Sequence, residues 1–300
     1  MSIFQEDKIK AVEPGRKSCQ SVTVGWTPER QAFFERKYWF DLWFGRLLLV
    51  LFSPLILALW VLVFCTSKGS GFYRQKRTGL NGQDFYVIKL RSMTWDAEDN
   101  GKPVLCCKKD GRMTILGKVL RLLHLDELPQ LVNVARGEMV LVGPRPERPV
   151  ICEELAGEIE SYYDRVLVKP GITGLSQINL PPDSTWGDVR RKQALDLTYI
   201  NEVDMLLELR ILIATSMRMF GIKGGRAMRA MALSRNKTLH DLGLKEQPNE
   251  EPLPFSQEFK AIEQSQQEKS QQVKLQEPRE RCDFSAPIGV ESRPAPLPNP

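Results

Sequence analysis

The most apolar stretch of the chain runs from residue 47 to residue 65, where polar side chains are almost absent. A helix over these residues would reach about 28 Å, close to the hydrocarbon thickness of a bilayer. Ser53 and Pro54 interrupt it. Proline removes one backbone hydrogen bond and bends a helix, and a serine hydroxyl can satisfy the freed carbonyl. The pattern therefore predicts a membrane helix with a kink at Ser53 and Pro54.

Charge on both sides of this stretch bears on how the helix sits in the bilayer. The flanking basic residues are Arg36, Lys37 and Arg46 before it and Lys68, Arg74, Lys76 and Arg77 after it. Positive charge favours the cytoplasmic side of a membrane, so we expect both ends to stay there. A re-entrant helix, which enters and leaves by one leaflet, fits the charges and the kink. A single-pass anchor is the alternative.

The segment just before the apolar stretch mixes aromatic and basic side chains. Between residues 30 and 46 the aromatic ones are Phe33, Phe34, Tyr38, Trp39, Phe40, Trp43 and Phe44. Aromatic belts beside Lys and Arg are typical of a bilayer interface. The same mixture occurs in proteins that bind single-stranded nucleic acid. The adjoining membrane segment favours the interface, and we expect no nucleic-acid partner.

Periodic patterns further along predict a mixed α+β domain. Residues 72–77 and 84–90 form the arms of a predicted β-hairpin, with Asn81 and Gly82 supplying the turn. Lys89 and Arg91 alternate onto the same face at the end of the second arm, where they form either a phosphate site or a solvated surface. Three of the predicted helices cover residues 114–123, with Thr114 as the N-cap, 186–203 and 205–220.

Two adjacent carboxylates, Asp126 and Glu127, lie between an apolar run and Pro129. Aspartate is a preferred N-cap residue and proline is best tolerated in the first helical turn, so Asp126 is predicted to open a helix that ends at Gly137. The free N–H groups of such a helix end favour negative charge. The pair is either a helix cap with an exposed acid or a catalytic group, and the local pattern alone leaves both open.

Three motifs decide between these interpretations. They are Leu-Asp-Glu-Leu-Pro-Gln at 125–130, Leu-Val-Gly-Pro-Arg-Pro at 141–146 and Lys-Pro-Gly-Ile-Thr-Gly-Leu at 169–175. Together they resemble the bacterial sugar transferase family, the monotopic phosphoglycosyl transferases that move a sugar phosphate from a UDP-sugar onto polyprenyl phosphate. The likeness extends from about residue 37 to about 217. It implies a re-entrant helix broken at a Ser-Pro pair, and the short leader indicates the small form of the family.

The resemblance assigns roles to individual residues. It implies that Asp126 forms a covalent aspartyl phosphosugar and that Glu127 helps to bind Mg²⁺. It also implies that phosphate oxygens are bound by Arg121, Arg145, Lys89, Arg91 and the turn at Lys169. The expected product is a polyprenyl-diphospho-sugar, made from undecaprenyl phosphate in bacteria, which initiates exopolysaccharide or other glycoconjugate assembly. Anionic membrane lipids are further expected partners, and downstream glycosyltransferases are candidate ones.

Composition narrows the remaining function classes. The net charge of +5 suits anionic lipid and phosphate-bearing substrates as well as nucleic acid. The six cysteines are scattered without a C-x-x-C pair, and the chain has two histidines, so a zinc site, a disulfide framework and a histidine-based triad are not indicated. The competing hypothesis is a non-enzymatic scaffold at the membrane surface.

The predicted organisation has five parts. They are a flexible leader at 1–29, an interfacial and re-entrant membrane helix at 30–68, a catalytic domain at 69–222, a basic amphipathic stretch at 223–240 and a disordered tail at 241–300. The predicted fold class is α+β, a monotopic membrane protein with a small β-hairpin and surrounding amphipathic helices. The protein is predicted to lie in the bacterial inner membrane, with its catalytic domain on the cytoplasmic face.

Overall fold

The computed structural model describes residues 22–67, 69–94, 112–222, 224–246 and 250–253. All of these residues belong to one structural unit, Met1–Ser256. Most of the predicted leader, residues 95–111 of the predicted catalytic domain and most of the predicted tail lie outside the described residues. Four of the six cysteines lie there too, and Cys65 and Cys152 are free thiols.

One helix, α1, spans Pro28–Thr66 and therefore joins the predicted interfacial and apolar segments. Thr27 caps it by accepting a hydrogen bond from the Arg30 N–H at 3.3 Å. The helix continues through Pro54, and the Ser53 hydroxyl donates to the Val50 carbonyl at 2.8 Å. That carbonyl is the one deprived of a backbone donor by the proline. This is the contact expected for Ser53, and the kink stays a prediction.

The predicted hairpin is confirmed. Strands β1 (Phe72–Thr78) and β2 (Asp84–Leu90) pair antiparallel, with Gln75 opposite Val87. Asn81 and Gly82 have φ values of 53° and 75°, the left-handed backbone that Asn and Gly adopt most readily.

The helix expected to begin at Asp126 is wrong in its start and its type. Helix α2 (Ile115–Leu122) is capped by Thr114 as predicted, and the chain then reverses at His124, whose φ is 54°. A 3₁₀ helix follows over Leu125–Gln130, and α3 covers only Leu131–Ala135. Asp126 therefore lies inside a 3₁₀ turn rather than at a cap. Pro129 has no N–H, so the hydrogen bond that an α-helix would form to the Leu125 carbonyl is missing.

The remaining elements build a second small sheet and a helical layer. Strand β3 (Val140–Val142) pairs parallel with β4 (Gly171–Thr173). The remaining helices are α4 (Pro149–Glu158), α5 (Leu175–Asn179), α6 (Trp186–Glu202), α7 (Met205–Met219), α8 (Gly224–Ala230) and α9 (Asn236–Asp241), with a 3₁₀ helix at Tyr162–Val166. Helices α6 and α7 confirm the predictions over 186–203 and 205–220.

The core packs the first half of α1 against β3, α6 and α7. Phe34 of α1 is buried with Val142, Tyr199 and Ile211. A buried salt-bridge network links α1 to α7, because the Lys37 ammonium contacts Asp41 at 2.8 Å and Glu208 of α7 at 2.5 Å. The first half of α1 is thereby an integral part of the domain.

The fold class is confirmed as a mixture of helices with two small sheets. Among the described residues, α1 is the helix that is long and apolar enough to cross a membrane, and 11% of its most apolar window is buried against protein. Most of the large apolar side chains in that window therefore face outward.

Residues beyond the last long helix pack on the domain as well. Leu233 and Leu253 are fully buried, and Leu239 of α9 is 7% exposed. Residues 250–253 fall inside the predicted tail but contact the start of α6.

Candidate active site

Three separate parts of the chain converge on the carboxylate of Glu127. Its Oε1 accepts a hydrogen bond from Lys89 Nζ of β2 at 2.7 Å and another from Arg145 Nη2, in the loop after β3, at 2.8 Å. The Glu127 side chain is 15% exposed. One carboxylate oxygen thus holds two cations in fixed positions.

The neighbouring Asp126 differs from Glu127 in its contacts. Asp126 is 7% exposed, and no described residue donates a hydrogen bond to its carboxylate. The electrostatic neighbours that lower its pKa are Lys89, Arg121 and His124. A carboxylate without hydrogen-bond donors keeps its lone pairs available for reaction.

The two acids have opposite pKa shifts. Burial would raise the pKa of Glu127, but Arg145 and Lys89 together hold it well below its usual value. Burial and the charge of Glu127 raise the pKa of Asp126. Glu127 therefore stays ionised to lower pH than Asp126, and Asp126 is the acid of the pair that takes up a proton first as the pH falls.

Arg145 is held in place by its backbone and remains accessible. It lies between Pro144 and Pro146, which restrict the backbone on both sides. Its carbonyl accepts a hydrogen bond from Arg165 Nη2 at 2.9 Å. The Arg145 side chain is 34% exposed, so its guanidinium can reach a ligand.

Glycine is required where the loops of β3 and β4 meet. A Cβ on Gly171 would lie 2.1 Å from the Gly143 nitrogen, and a Cβ on Gly174 would lie 2.3 Å from the Gly143 oxygen. The two motifs that contain these glycines therefore touch through their backbones. This contact fixes the start of the loop that carries Arg145.

Arg121 lies on α2, just before the acidic pair. Its Nε donates to the Ser92 hydroxyl at 2.8 Å, and its charge lowers the pKa of Asp126. Gly117 of α2 allows this approach, because a Cβ there would lie 1.9 Å from the Ser92 oxygen. The electrostatic contact brings Arg121 close to Asp126, and its role as a phosphate ligand stays a prediction.

Two predicted phosphate ligands have their contacts elsewhere. Arg91 Nη2 donates to the Ser67 hydroxyl at 2.7 Å and to the Ser67 carbonyl at 3.0 Å, at the end of α1. Lys169 Nζ lies 4.6 Å from the centre of the Tyr38 ring. Within the described residues neither cation bonds to Asp126 or Glu127, and their phosphate-binding roles stay predictions.

A second buried charge network supports the Arg145 loop and was missed by the sequence analysis. Glu147 contacts Lys192 of α6 at 2.5 Å and Arg77 of β1 at 3.5 Å. Arg165 contacts Asp196, also of α6, at 2.6 Å. No local pattern could reveal these pairs, because most of the partners lie tens of residues apart.

The acidic pair also has the chemistry of a magnesium site. No group of three or more His, Cys, Asp or Glu residues that could hold a metal occurs within the described part of the chain. Magnesium commonly uses one or two carboxylates and takes its other ligands from water and substrate phosphates. Asp126 and the second carboxylate oxygen of Glu127 fit that requirement.

Comparison with known proteins gives the family. A model described as bacterial sugar transferase matches residues 31–221. The chain is 40% identical to the UDP-glucose:undecaprenyl-phosphate glucose-1-phosphate transferase of Klebsiella pneumoniae, over 60% of this chain and 39% of that protein. It is 39% identical to the UDP-N-acetylgalactosamine-undecaprenyl-phosphate N-acetylgalactosaminephosphotransferase of Aeromonas hydrophila, over 55% of this chain and 39% of that protein.

A shorter relative is covered more completely. The chain is 36% identical to the exopolysaccharide production protein ExoY of Rhizobium meliloti (strain 1021), over 59% of this chain and 81% of that protein. The chain spans about two fifths of the length of the two larger relatives. The matched region contains Lys89, Asp126, Glu127 and Arg145, and the chain belongs to the bacterial sugar transferase family.

Proposed function

We propose that this protein transfers a sugar 1-phosphate from a UDP-sugar to polyprenyl phosphate at the cytoplasmic face of a bacterial plasma membrane. The main support is the arrangement at the acidic pair. Asp126 is buried and accepts no hydrogen bond from the residues that the structure describes, and its neighbour Glu127 holds Lys89 and Arg145 beside it. The names of the similar proteins support the same class of reaction.

In the first step an oxygen of the Asp126 carboxylate attacks the β-phosphorus of the UDP-sugar. The bond between that phosphorus and the bridging oxygen breaks, and UMP leaves with the bridging oxygen. The sugar phosphate remains on Asp126 as an acyl phosphate. Both reactants are anions, so the reaction needs cations around the diphosphate. Lys89 and Arg145 lie within hydrogen-bond distance of Glu127 and can supply them.

In the second step a phosphate oxygen of the lipid acceptor attacks the same phosphorus. The bond to the Asp126 oxygen breaks, which releases the polyprenyl-diphospho-sugar and restores the carboxylate. Dividing the exchange between two steps avoids the direct attack of one free anion on another. Because the Asp126 site is regenerated without a proton change, it is ready for a new UDP-sugar.

Magnesium would be held by Glu127 together with substrate phosphate oxygens. When bound, it supplies positive charge that offsets the charge of the transferring phosphoryl group. Glu127 keeps its negative charge over the whole working pH range because the neighbouring cations lower its pKa. We therefore assign Glu127 to metal binding and to holding Arg145 and Lys89, and Asp126 to attack.

The contacts of α1 support a re-entrant anchor. Near one end of the apolar stretch, Arg46 Nε donates to the Ala135 carbonyl at 3.2 Å. At the other end, Ser67 is bonded to Arg91. Both ends are therefore attached to the same domain, whereas the ends of a spanning helix are separated by about 30 Å of hydrocarbon. We infer that α1 enters and leaves by one leaflet.

The sugar is proposed only as a class. The similar proteins are named for glucose and for N-acetylgalactosamine, so a UDP-hexose or its N-acetyl derivative is the expected donor. One relative is named for exopolysaccharide production. The product is then the lipid-linked first sugar on which downstream glycosyltransferases build a polysaccharide.

The decisive experiment traps the intermediate. Purified full-length protein in detergent is incubated with Mg²⁺ and a panel of UDP-sugars labelled in the sugar, without acceptor. We expect UMP release and a labelled protein, with the label on the peptide containing Asp126 and removed by undecaprenyl phosphate. Asp126→Asn should lose transfer by at least about 10³-fold and carry no label. Asp241→Asn, which changes an exposed aspartate on α9, is the matched control.

Two results would reject the proposal. The first is transfer by Asp126→Asn at the wild-type rate, and the second is complete turnover with no labelled protein at any time. The competing scaffold hypothesis predicts that cells carrying Asp126→Asn still make their polysaccharide.

Single-cysteine labelling at Glu35→Cys and Ser70→Cys in a cysteine-free background tests whether both ends of the membrane helix lie on the cytoplasmic side. An impermeant maleimide should reach neither position in intact spheroplasts and both after lysis.

A further inference from the structure

Residues 250–253, the clamp segment, pair with the chain just before α6. The Trp186 N–H donates to the Glu251 carbonyl at 3.1 Å, and the Leu253 N–H donates to the Ser184 carbonyl at 3.1 Å. Between these bonds, Thr185 and Pro252 form an isolated antiparallel bridge. The clamp segment lies beyond the part of the chain that the family model matches, which ends at residue 221.

Glu250 fixes one end of the clamp segment to α6. Its carboxylate accepts two hydrogen bonds from Arg191, at 2.5 and 2.8 Å, and one from the Thr185 hydroxyl at 2.7 Å. Gly187 makes room for it, because a Cβ there would lie 2.1 Å from Glu250 Oε2. The Arg191 side chain is 4% exposed, so this forked ion pair is shielded from water.

Leu253 fixes the other end to α4. It is fully buried in an apolar cluster that also includes Val189 of α6. The other members of the cluster come from α4 and the turn that follows it, and they are Ile151, Cys152, Leu155, Ile159 and Tyr162. The clamp segment therefore bridges α4 and α6 with one ion pair and one apolar anchor.

The same two helices hold the loop that carries Arg145. Lys192 of α6 contacts Glu147, two residues after Arg145 and two before α4 begins. Arg165 Nη2 donates to the Arg145 carbonyl, and Arg165 Nη1 donates to the Tyr162 hydroxyl at 2.8 Å. Tyr162 and Leu253 are buried in the same apolar cluster. Two routes thus lead from the clamp segment to Arg145.

We propose that residues 250–253 are a positioning element of the active site, which holds α4 against α6 and thereby sets Arg145 for the diphosphate of the nucleotide sugar. Leu253 and Glu250 touch no reacting atom and act through the loop at 144–147. The expected effect on the KM for the UDP-sugar rests on the proposed function. The structural consequence, an ordered loop at Arg145, can be measured without turnover.

The test compares Leu253→Ala with Leu239→Ala in the full-length protein. Leu239 is 7% exposed and packs with Ala194 and Leu195, away from α4, so the two variants remove the same apolar side chain at different places. Both should lower the melting temperature. Only Leu253→Ala should raise the KM for the UDP-sugar, by about 10-fold, because small displacements of a substrate-binding group have large kinetic effects. Leu253→Met should restore the wild-type KM.

Hydrogen exchange provides the second measurement. Amides over residues 143–152 should exchange faster in Leu253→Ala than in Leu239→Ala at a temperature where both are folded. Equal exchange, or equal KM values in the two variants, would overturn the proposal and leave residues 250–253 a merely stabilising segment. If the wild-type protein transfers no sugar phosphate, the proposed function fails while the exchange comparison still tests the clamp segment.

Discussion

Arg145 donates a hydrogen bond from Nη2 to Oε1 of Glu127 at 2.8 Å. The same oxygen accepts a bond from Lys89, so the arginine is oriented before any substrate arrives. A guanidinium held by a carboxylate and by two flanking prolines loses little conformational freedom when it binds a phosphate. Glu127 thus has two roles: it orients the side chains of Arg145 and Lys89, and it provides a ligand for a bound metal.

Arg145→Lys should impair substrate binding although the charge is retained. Lysine has a point charge on a flexible stem and cannot contact Glu127 and a phosphate with a planar fork. We expect the KM for the UDP-sugar to rise about 10- to 100-fold, consistent with the loss of one charge-assisted hydrogen bond. Arg190→Lys, at an exposed position of α6, is the control. Equal KM values in the two variants would remove Arg145 from nucleotide binding.

The acid limb of the rate profile should report the carboxyl of Asp126. Burial and Glu127 raise the pKa of this group, and attack requires its ionised form, so kcat/KM should fall as the pH drops through that raised pKa. Lys89 lowers the pKa of Asp126, and Lys89→Met should therefore move the acid limb to higher pH. A pH series of initial rates measures both effects. An acid limb that stays in place in Lys89→Met would contradict the assignment.

Asp126→Asn should also stabilise the protein at neutral pH. Because the pKa of Asp126 is higher in the folded state than in the unfolded chain, ionisation of this group opposes folding. The stabilising contribution of protonated Asp126 is complete below the pKa of this group in the unfolded chain. It is lost as the pH rises through the pKa of this group in the folded protein. We expect the variant to melt about 1–3 °C above the wild type near pH 7, with the difference vanishing in acid. Calorimetry at several pH values measures this difference. A melting temperature of Asp126→Asn below that of the wild type at pH 7 would contradict the prediction.

The sequence predicted the parts of the fold that depend on neighbouring residues. The Asn81-Gly82 turn, the Thr114 cap and the helices over α6 and α7 follow from short patterns, and the structure has them. The prediction of a helix start at Asp126 failed because the chain reverses at the left-handed His124, and the 3₁₀ turn that follows packs against β2 and α2. A strong capping residue did not outweigh that tertiary constraint.

The candidate site was predictable only through its motifs. Resemblance singled out Glu127, Lys89 and Arg145, and the structure joins them. Nothing in the sequence paired Glu147 with Lys192 or Glu250 with Arg191, because such contacts depend on how distant segments meet. The bond from Arg91 to Ser67 was likewise not predicted by its motif position, and the role of Arg91 as a phosphate ligand stays a prediction.

Lys37→Met should strongly destabilise the domain. Its ammonium lies between the buried carboxylates of Asp41 and Glu208, and its removal leaves both without their cation. Breaking a buried ion pair from one side costs about 3–5 kcal/mol. Lys118→Met makes the same change at an exposed position of α2 and should cost less than about 0.5 kcal/mol. Chemical denaturation measures the difference, and equal losses would mean that the Lys37 contacts contribute nothing to stability.

The hydroxyl of Ser53 should stabilise α1 only when Pro54 is present. It donates to the Val50 carbonyl, which would otherwise receive the N–H of residue 54. In apolar surroundings Ser53→Ala should therefore cost about 0.6–1.5 kcal/mol in the wild-type chain. In a Pro54→Ala background the backbone N–H returns, so the same change should cost almost nothing. A double-mutant cycle on the protein in detergent, followed by thermal unfolding, isolates this coupling. Additive effects would show that the Val50 carbonyl does not depend on Ser53, and the pair would then have no special role in carrying the helix past the proline.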